Sequence, residues 1–112
     1  MKLNPFNTRI GLALGGGAAK GIAHIGVLKA FEEEQIRIHC ISGTSVGALV
    51  ASYFAFGRPA ESILSIGSTL NLSKILNFTL ERGGLFSTQA IREMIHRDLG
   101  DCRIEDADIP LA

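Results

Sequence analysis

The chain of 112 residues contains no Trp, one Tyr, three Pro and only two Cys. Cys40 and Cys102 form no C-x-x-C pair, and no cluster has zinc-ligand spacing, so neither a redox motif nor a metal site is predicted. Cys40 lies in an apolar stretch, and we expect it to be buried and reduced. Such cysteine usage is typical of a cytoplasmic protein.

An excess of one charge and long hydrophobic runs are also missing. Eleven basic and eleven acidic residues give a formal net charge of +0 at pH 7, and the basic ones are scattered, which argues against nucleic-acid binding. The longest apolar segment, Ala48 to Phe56, is far shorter than the roughly 20 residues that cross a bilayer. No secretory signal is visible. Any membrane contact is therefore expected to be peripheral.

Apolar segments alternate between strand and helix patterns along a chain long enough for one domain. The predicted elements are strands at Arg9 to Leu14 and Ile36 to Ser42, and helices at Ala18 to Glu34, Ala48 to Phe56, from Pro59 onward, and Thr88 to Leu99. Leu70 to Leu80 is ambiguous, Gly83-Gly84 indicates a turn, and Ile109 to Ala112 has the pattern of an opening strand. This order predicts an α/β fold with a parallel sheet and right-handed crossovers.

The most specific motif is Gly43-Thr44-Ser45-Val46-Gly47. A serine framed by glycines between a strand and a helix is typical of a nucleophile elbow, in which strained backbone angles expose the hydroxyl. A Cβ at Gly43 or Gly47 would crowd the turn. We therefore predict that Ser45 is a nucleophile.

A second glycine cluster, Gly15-Gly16-Gly17-Ala18, follows the first predicted strand. A dinucleotide fingerprint is excluded, because it would need glycine at Lys20 or at Ala18. A Walker A loop is excluded, because Lys20 precedes Gly21 and no Ser or Thr follows. The remaining interpretations are a simple tight turn and an oxyanion hole made of backbone N–H groups. Both junctions open on the same edge of a parallel sheet, which favours the oxyanion hole.

These motifs resemble the patatin-like phospholipase family in its bacterial form. The similarity covers LALGGGAAKGIAHIGVL from Leu12, GTSVGAL from Gly43, GGLF from Gly83 and IPLA from Ile109. The resemblance implies a three-layer α/β/α fold and cofactor-free hydrolysis of lipid acyl esters by a Ser-Asp dyad. It makes Ser45 the nucleophile and Gly15, Gly16, Gly17 and Ala18 the oxyanion loop. Lys20 and Ala18 stand where the family usually has arginine and glycine.

The family's catalytic aspartate lies in an Asp-Gly pair, and no aspartate in this chain is followed by glycine. We therefore expect the chain to be the amino-terminal portion of one patatin-like domain, inactive by itself, with its base beyond Ala112. One alternative is a triad of Ser45, a glutamate (Glu61, Glu81 or Glu93) and His96. His24 is expected to be a core or supporting histidine, and no role in the site is predicted for His39.

The leading functional hypothesis is a serine lipid acyl hydrolase that acts on phospholipids or related acyl esters. The first alternative is a catalytically inactive patatin-like domain that binds an acyl or anionic ligand. A third possibility is nucleotide binding by the glycine loop, which predicts stabilisation by ATP or NAD. Oligomeric state is not predicted by the sequence.

Overall fold

The computed structural model describes residues 8–69 and 87–112. Two strands, β1 (Gly11–Leu14) and β2 (Cys40–Gly43), alternate with helices α1 (Ile22–Glu33), α2 (Val46–Ala55), α3 (Ala60–Thr69) and α4 (Ser87–Leu99). Short 3-10 turns occupy Ala18–Gly21 and Ile104–Asp106. The ambiguous segment Leu70 to Leu80 and the predicted turn at Gly83-Gly84 lie outside the described residues.

The strands form a parallel sheet, which confirms the predicted α/β class. β1 and β2 pair in register, with Leu12 opposite Ile41. The segment that ends the chain lies on the other side of β2, where Leu111 bridges to Ile41 in the parallel sense. Here Pro110 accepts a hydrogen bond from the Ile41 N–H at 2.9 Å. The predicted opening strand at Ile109 to Ala112 therefore pairs with the sheet.

One face of the sheet carries the core. Leu14 and Ile41 are buried in one cluster with residues from all four helices. Two crossovers that step the same way across a sheet place their helices on one face, because such connections are right-handed. The opposite face carries Gly11, Ala13 and Cys40, which are exposed in the described structure. The second helical layer of a three-layer fold is not among the described residues.

The expected burial of Cys40 is wrong. Side chains alternate along a strand, so Ile41 faces the helices and Cys40 takes the open face. Its sulfur lies in front of Gly11, where an added Cβ would approach it to 2.9 Å. Both Cys40 and Cys102 are free thiols.

The largest differences from the predicted element boundaries are in the first helix and the second strand. The first predicted helix is divided into the 3-10 turn Ala18–Gly21 and α1. The second predicted strand begins only at Cys40, because Gln35 leaves α1 with a φ of 54° and the chain then runs irregularly toward the sheet. His39 joins this segment to β1 by accepting a hydrogen bond from Ile10 N–H at Nδ1, at 3.1 Å.

Polar contacts dock the later helices onto α1 and α2. The Glu32 carboxylate accepts a hydrogen bond from the Ala60 N–H at 2.9 Å and so caps α3 from a neighbouring helix. The buried Tyr53 of α2 donates its hydroxyl to Asp98 of α4 at 2.6 Å. Arg58 donates to the Asp98 carbonyl oxygen at 2.8 Å. The apolar stripe of α4 packs on the core and consists of Ile91, Met94, Ile95 and Leu99, of which Met94 is buried.

Candidate active site

The two βα junctions meet at the carboxyl edge of the sheet. β1 ends at Leu14 and β2 at Gly43, which are register partners. The Thr44 N–H donates to the Leu14 carbonyl oxygen at 3.0 Å and ties the two strand ends together. A Cβ built on Gly16 would lie 3.5 Å from Ser45 Cβ. The structure therefore brings the glycine loop and the serine motif into contact.

Ser45 stands at the turn between β2 and α2, with φ 55° and ψ −125°. Positive φ is uncommon for a residue with a side chain. Serine at the first position of a helix usually caps it through its hydroxyl, but Ser45 makes no such capping bond. Ser45 is exposed, and its hydroxyl has no hydrogen-bond partner among residues 8–69 and 87–112. This hydroxyl is therefore available to a ligand.

The glycines around Ser45 are required by close backbone contacts. A Cβ on Gly43 would lie 2.3 Å from the Gly47 carbonyl oxygen. A Cβ on Gly47 would lie 2.3 Å from the Leu14 carbonyl oxygen and 2.6 Å from that of Gly15. These distances are well inside van der Waals contact, so β1, β2 and α2 can approach this closely only without side chains at both positions. Thr44 is exposed, whereas Val46 is buried.

The loop Gly15-Gly16-Gly17 connects β1 to the 3-10 turn that Ala18 opens. Gly17 has a φ of 143°, which favours glycine, and its carbonyl oxygen accepts from Lys20 N–H at 2.9 Å. Within the part of the chain that the structure describes, the N–H groups of Gly16 and Gly17 donate to no backbone carbonyl. Free N–H groups ahead of a helix form a natural anion site.

Two contacts from α1 and its preceding turn support this edge. His24 is half-buried, and its Nε2 lies 2.7 Å from the Gly15 carbonyl oxygen. Gly21 faces Val46, where an added Cβ would approach the valine Cγ2 to 2.4 Å. The start of α1 can therefore lie directly against the start of α2. This pairing could not be predicted from the sequence, because the pattern of the motifs does not show which glycine faces which side chain.

The alternative triad finds no geometric support in the described residues. Its candidate members other than Ser45 are Glu61, Glu81, Glu93 and His96. Of these four, none that the structure describes is hydrogen-bonded to Ser45, and neither is His39. Glu93 accepts a hydrogen bond from Gln89 on its own helix at 2.8 Å, and His96 is exposed. Glu81 lies outside the described residues.

Among the groups of residues 8–69 and 87–112, the clear shifts in pKa occur where α2 meets α4. Burial, followed by the hydrogen bond to Asp98, raises the pKa of Tyr53. The hydrogen bond from Arg97 is the largest cause that lowers the pKa of Asp98, and the Tyr53 hydrogen bond adds to it. These groups join α2 to α4 and do not contact Ser45. We therefore expect the titration of Tyr53 and Asp98 to change the stability of the fold and not the chemistry at Ser45.

Comparisons with known proteins decide the family. The sequence model of the patatin-like phospholipase family matches residues 12–112. The chain belongs to this family. Similar proteins include the neuropathy target esterase sws of Drosophila persimilis, 37% identical over 107 residues. Patatin-like phospholipase domain-containing protein 6 of Homo sapiens is 36% identical over 107 residues.

The chain represents a small part of these relatives. The matched regions cover 90% of the chain but only 8% of the Drosophila persimilis and Homo sapiens proteins. Within residues 8–69 and 87–112, no helix is long and apolar enough to cross a membrane. The same residues contain no group of three or more His, Cys, Asp or Glu side chains that could hold a metal ion.

Proposed function

We propose that Ser45 is the nucleophile of a serine lipid acyl hydrolase and that the loop Gly15-Gly16-Gly17-Ala18 forms its oxyanion hole. The observation that carries this proposal is the geometry of Ser45: positive φ, an exposed hydroxyl, and no capping bond from that hydroxyl. Strain of this kind concentrates at functional sites. Membership of the patatin-like phospholipase family and the esterase name of the Drosophila relative support an acyl ester as the substrate.

In the proposed reaction, the Ser45 oxygen attacks the ester carbonyl carbon and its proton passes to a base. The carbonyl oxygen becomes an oxyanion, which accepts hydrogen bonds from loop N–H groups such as that of Gly16. The ester C–O bond then breaks, and the alcohol leaves with a proton. Water attacks the acyl-serine, and the fatty acid departs as Ser45 regains its proton.

The base is proposed to be an aspartate beyond Ala112, so that residues 1–112 form the amino-terminal portion of one catalytic domain. No aspartate among residues 8–69 and 87–112 is hydrogen-bonded to Ser45. A positioned base contributes about 10²- to 10⁴-fold to the rate. We therefore expect the 112-residue chain by itself to be inactive.

A lipid substrate requires the site to meet a bilayer or micelle surface. Ile22, the first residue of α1, follows the glycine loop and its turn and is 63% exposed. Burial of this exposed apolar side chain in a lipid surface would be favourable. We propose peripheral association of a cytoplasmic protein with membranes.

The test is hydrolysis of a fluorogenic phospholipid by the full-length protein, together with labelling by a fluorophosphonate probe. Ser45→Ala is expected to abolish both. Ser68→Ala is the matched control, because Ser68 is an exposed serine on α3 whose hydroxyl donates to the Leu64 carbonyl oxygen. It should keep both signals. Full hydrolysis by Ser45→Ala would overturn the proposal.

The lack of a described base for Ser45 favours one competing function. A patatin-like domain without a base would be catalytically inactive and would use the loop N–H groups to bind an acyl or anionic ligand. That function predicts no labelling of the full-length protein and no hydrolysis, together with a rise in melting temperature on addition of a fatty acid.

A further inference from the structure

We propose that His24 is a positioning residue for the oxyanion loop and that it acts by fixing the orientation of the Gly15–Gly16 peptide. This inference rests on the proposed function, because it assigns a role within the Ser45 site. Its starting point is the 2.7 Å contact between His24 Nε2 and the Gly15 carbonyl oxygen, which joins α1 to the end of β1.

The contact shows which ring nitrogen of His24 carries a proton. A carbonyl oxygen can only accept a hydrogen bond, so Nε2 must carry the proton. That requirement is met by the imidazolium and by the neutral tautomer protonated at Nε2. His24 therefore donates to Gly15 in either protonation state. In the neutral ring, only Nδ1 then remains as a hydrogen-bond acceptor.

The peptide bond transmits this anchoring to Gly16. The described chain has no cis peptide bond, so the Gly15 C=O and the Gly16 N–H point in opposite directions. Holding the carbonyl oxygen thus sets the direction of the N–H. Gly16 adjoins the nucleophile, since a Cβ on it would lie 3.5 Å from Ser45 Cβ. The N–H that His24 orients therefore belongs to a residue that packs against Ser45.

A second contact involves the same carbonyl oxygen. A Cβ on Gly47 would lie 2.6 Å from the Gly15 oxygen, so α2 packs directly against it. Gly15 and Gly16 have no side chains of their own to hold this peptide, and open space surrounds the Cβ direction of Gly15. Without His24, the contact from α2 limits the approach of the carbonyl but supplies no hydrogen-bond donor to hold it. Loss of orientation in a reacting group can cost about 10²-fold in rate.

The experiment compares three variants of the full-length protein in phospholipid hydrolysis and in the rate of fluorophosphonate labelling. His24→Phe removes the donor and keeps a planar ring, and we expect kcat to fall by about 10- to 100-fold with little change in KM. His24→Gln keeps an N–H₂ donor at similar reach and should recover most of the loss. Lys29→Phe is the matched control, because Lys29 is exposed on the same helix α1, and it should retain the parental rate.

The pH dependence of kcat/KM separates positioning from base catalysis. A positioning role predicts that His24→Gln keeps the parental pH profile, whereas removal of a general base would abolish its acidic limb. Long-range ¹H–¹⁵N NMR spectra of the parental protein add a measurement that does not depend on folding of a variant: Nε2 of His24 should be protonated from pH 5 to pH 9. A deprotonated Nε2 would overturn the proposal.

The two proposals fail in different ways. If Ser45→Ala is inactive while His24→Phe matches the parental rate, the role of His24 is wrong and Ser45 stands. If Ser45→Ala is fully active, the proposed function itself is wrong. Loss of activity in His24→Gln equal to that in His24→Phe would also contradict positioning through a donated hydrogen bond.

Discussion

The two βα junctions at the carboxyl edge of the sheet differ in how they make their turn. After β1 the chain takes a three-glycine loop, and the unusual backbone angle falls on Gly17, which tolerates it. After β2 the chain turns within Thr44 and Ser45, and the unusual angle falls on the serine itself. The first junction exposes backbone N–H groups, whereas the second exposes a side-chain hydroxyl.

This difference shows how strain is distributed around the proposed site. The tight junction is possible because Gly43 and Gly47 let the backbone segments touch. Ser45 then keeps a conformation that costs of the order of 1–3 kcal/mol, held by the packing of α2 on both strands. At the first junction, a Cβ on Gly15 or Gly16 would meet no described atom closer than 3.5 Å. There, His24 donates a hydrogen bond to the Gly15 carbonyl oxygen.

The largest expected effect separates the glycines of the two junctions. Gly47→Ala places a Cβ 2.3 Å from the Leu14 carbonyl oxygen, so we expect a loss of about 3 kcal/mol in the free energy of unfolding. Gly15→Ala meets no atom within 4 Å and should change stability by less than about 0.5 kcal/mol. Urea denaturation measures both. Equal stability of the two variants would mean that the junctions do not differ in this way.

Tyr53 tests whether the serine junction depends on the far end of α2. Tyr53→Phe removes the hydrogen bond to the Asp98 carboxylate, and we expect unfolding to become easier by about 1.5 kcal/mol near neutral pH. Fluorophosphonate labelling of Ser45 in the folded protein should keep its rate, because the strands and Gly47 define the turn. A slower reaction would show that the two ends of α2 are coupled.

The same pair predicts the pH range in which α2 and α4 remain docked. The pKa of Asp98 is lowered in the folded state. Its contribution to the free energy of unfolding is therefore present above pH 3.8 and is lost as the pH falls below that value. The pKa of Tyr53 is raised above 10.0, so stability is lost above pH 10 as the unfolded tyrosine ionises. Tyr53→Phe should remove the alkaline loss and reduce the acid loss. The acid loss persists because Arg97 is the main cause that lowers the pKa of Asp98.

The smallest expected effect measures the strain at Ser45 directly. Ser45→Gly should be more stable than Ser45→Ala by about 1 kcal/mol, because relief of the positive φ exceeds the greater backbone entropy of glycine in the unfolded chain. Both variants lack the hydroxyl, so the comparison isolates the backbone. Thermal unfolding followed by circular dichroism provides the measurement. If Ser45→Gly were less stable than Ser45→Ala, the positive φ at Ser45 would not be a source of strain.

The sequence predicted those parts of the fold that local pattern determines. The glycines flanking Ser45 and the apolar stripe of α4 each lie within a short segment of the sequence. The structure contains the predicted turn and helix. The exposure of Cys40 could not be predicted from local pattern, because it depends on which face of the sheet the helices cover. Periodicity gives the alternation along a strand, but the choice of face comes from the crossovers.

Contacts between distant residues were the part of the site that the sequence could not supply. Glu32 of α1, for example, caps α3 by accepting a hydrogen bond from the Ala60 N–H, 28 residues along the chain. The bond from His24 to Gly15 also depends on how α1 folds back toward the end of β1. Such contacts follow from the packing of whole elements and leave no signature in spacing or composition.

The most direct test of the account is a crystal structure of the full-length protein after reaction with a fluorophosphonate, since the tetrahedral phosphorus imitates the intermediate of acyl transfer. We predict phosphorus bonded to Ser45 Oγ, with the phosphoryl oxygen about 3 Å from an N–H of the loop Gly15-Gly16-Gly17-Ala18. An adduct on another residue, or a phosphoryl oxygen that contacts no N–H of that loop, would contradict the proposed site.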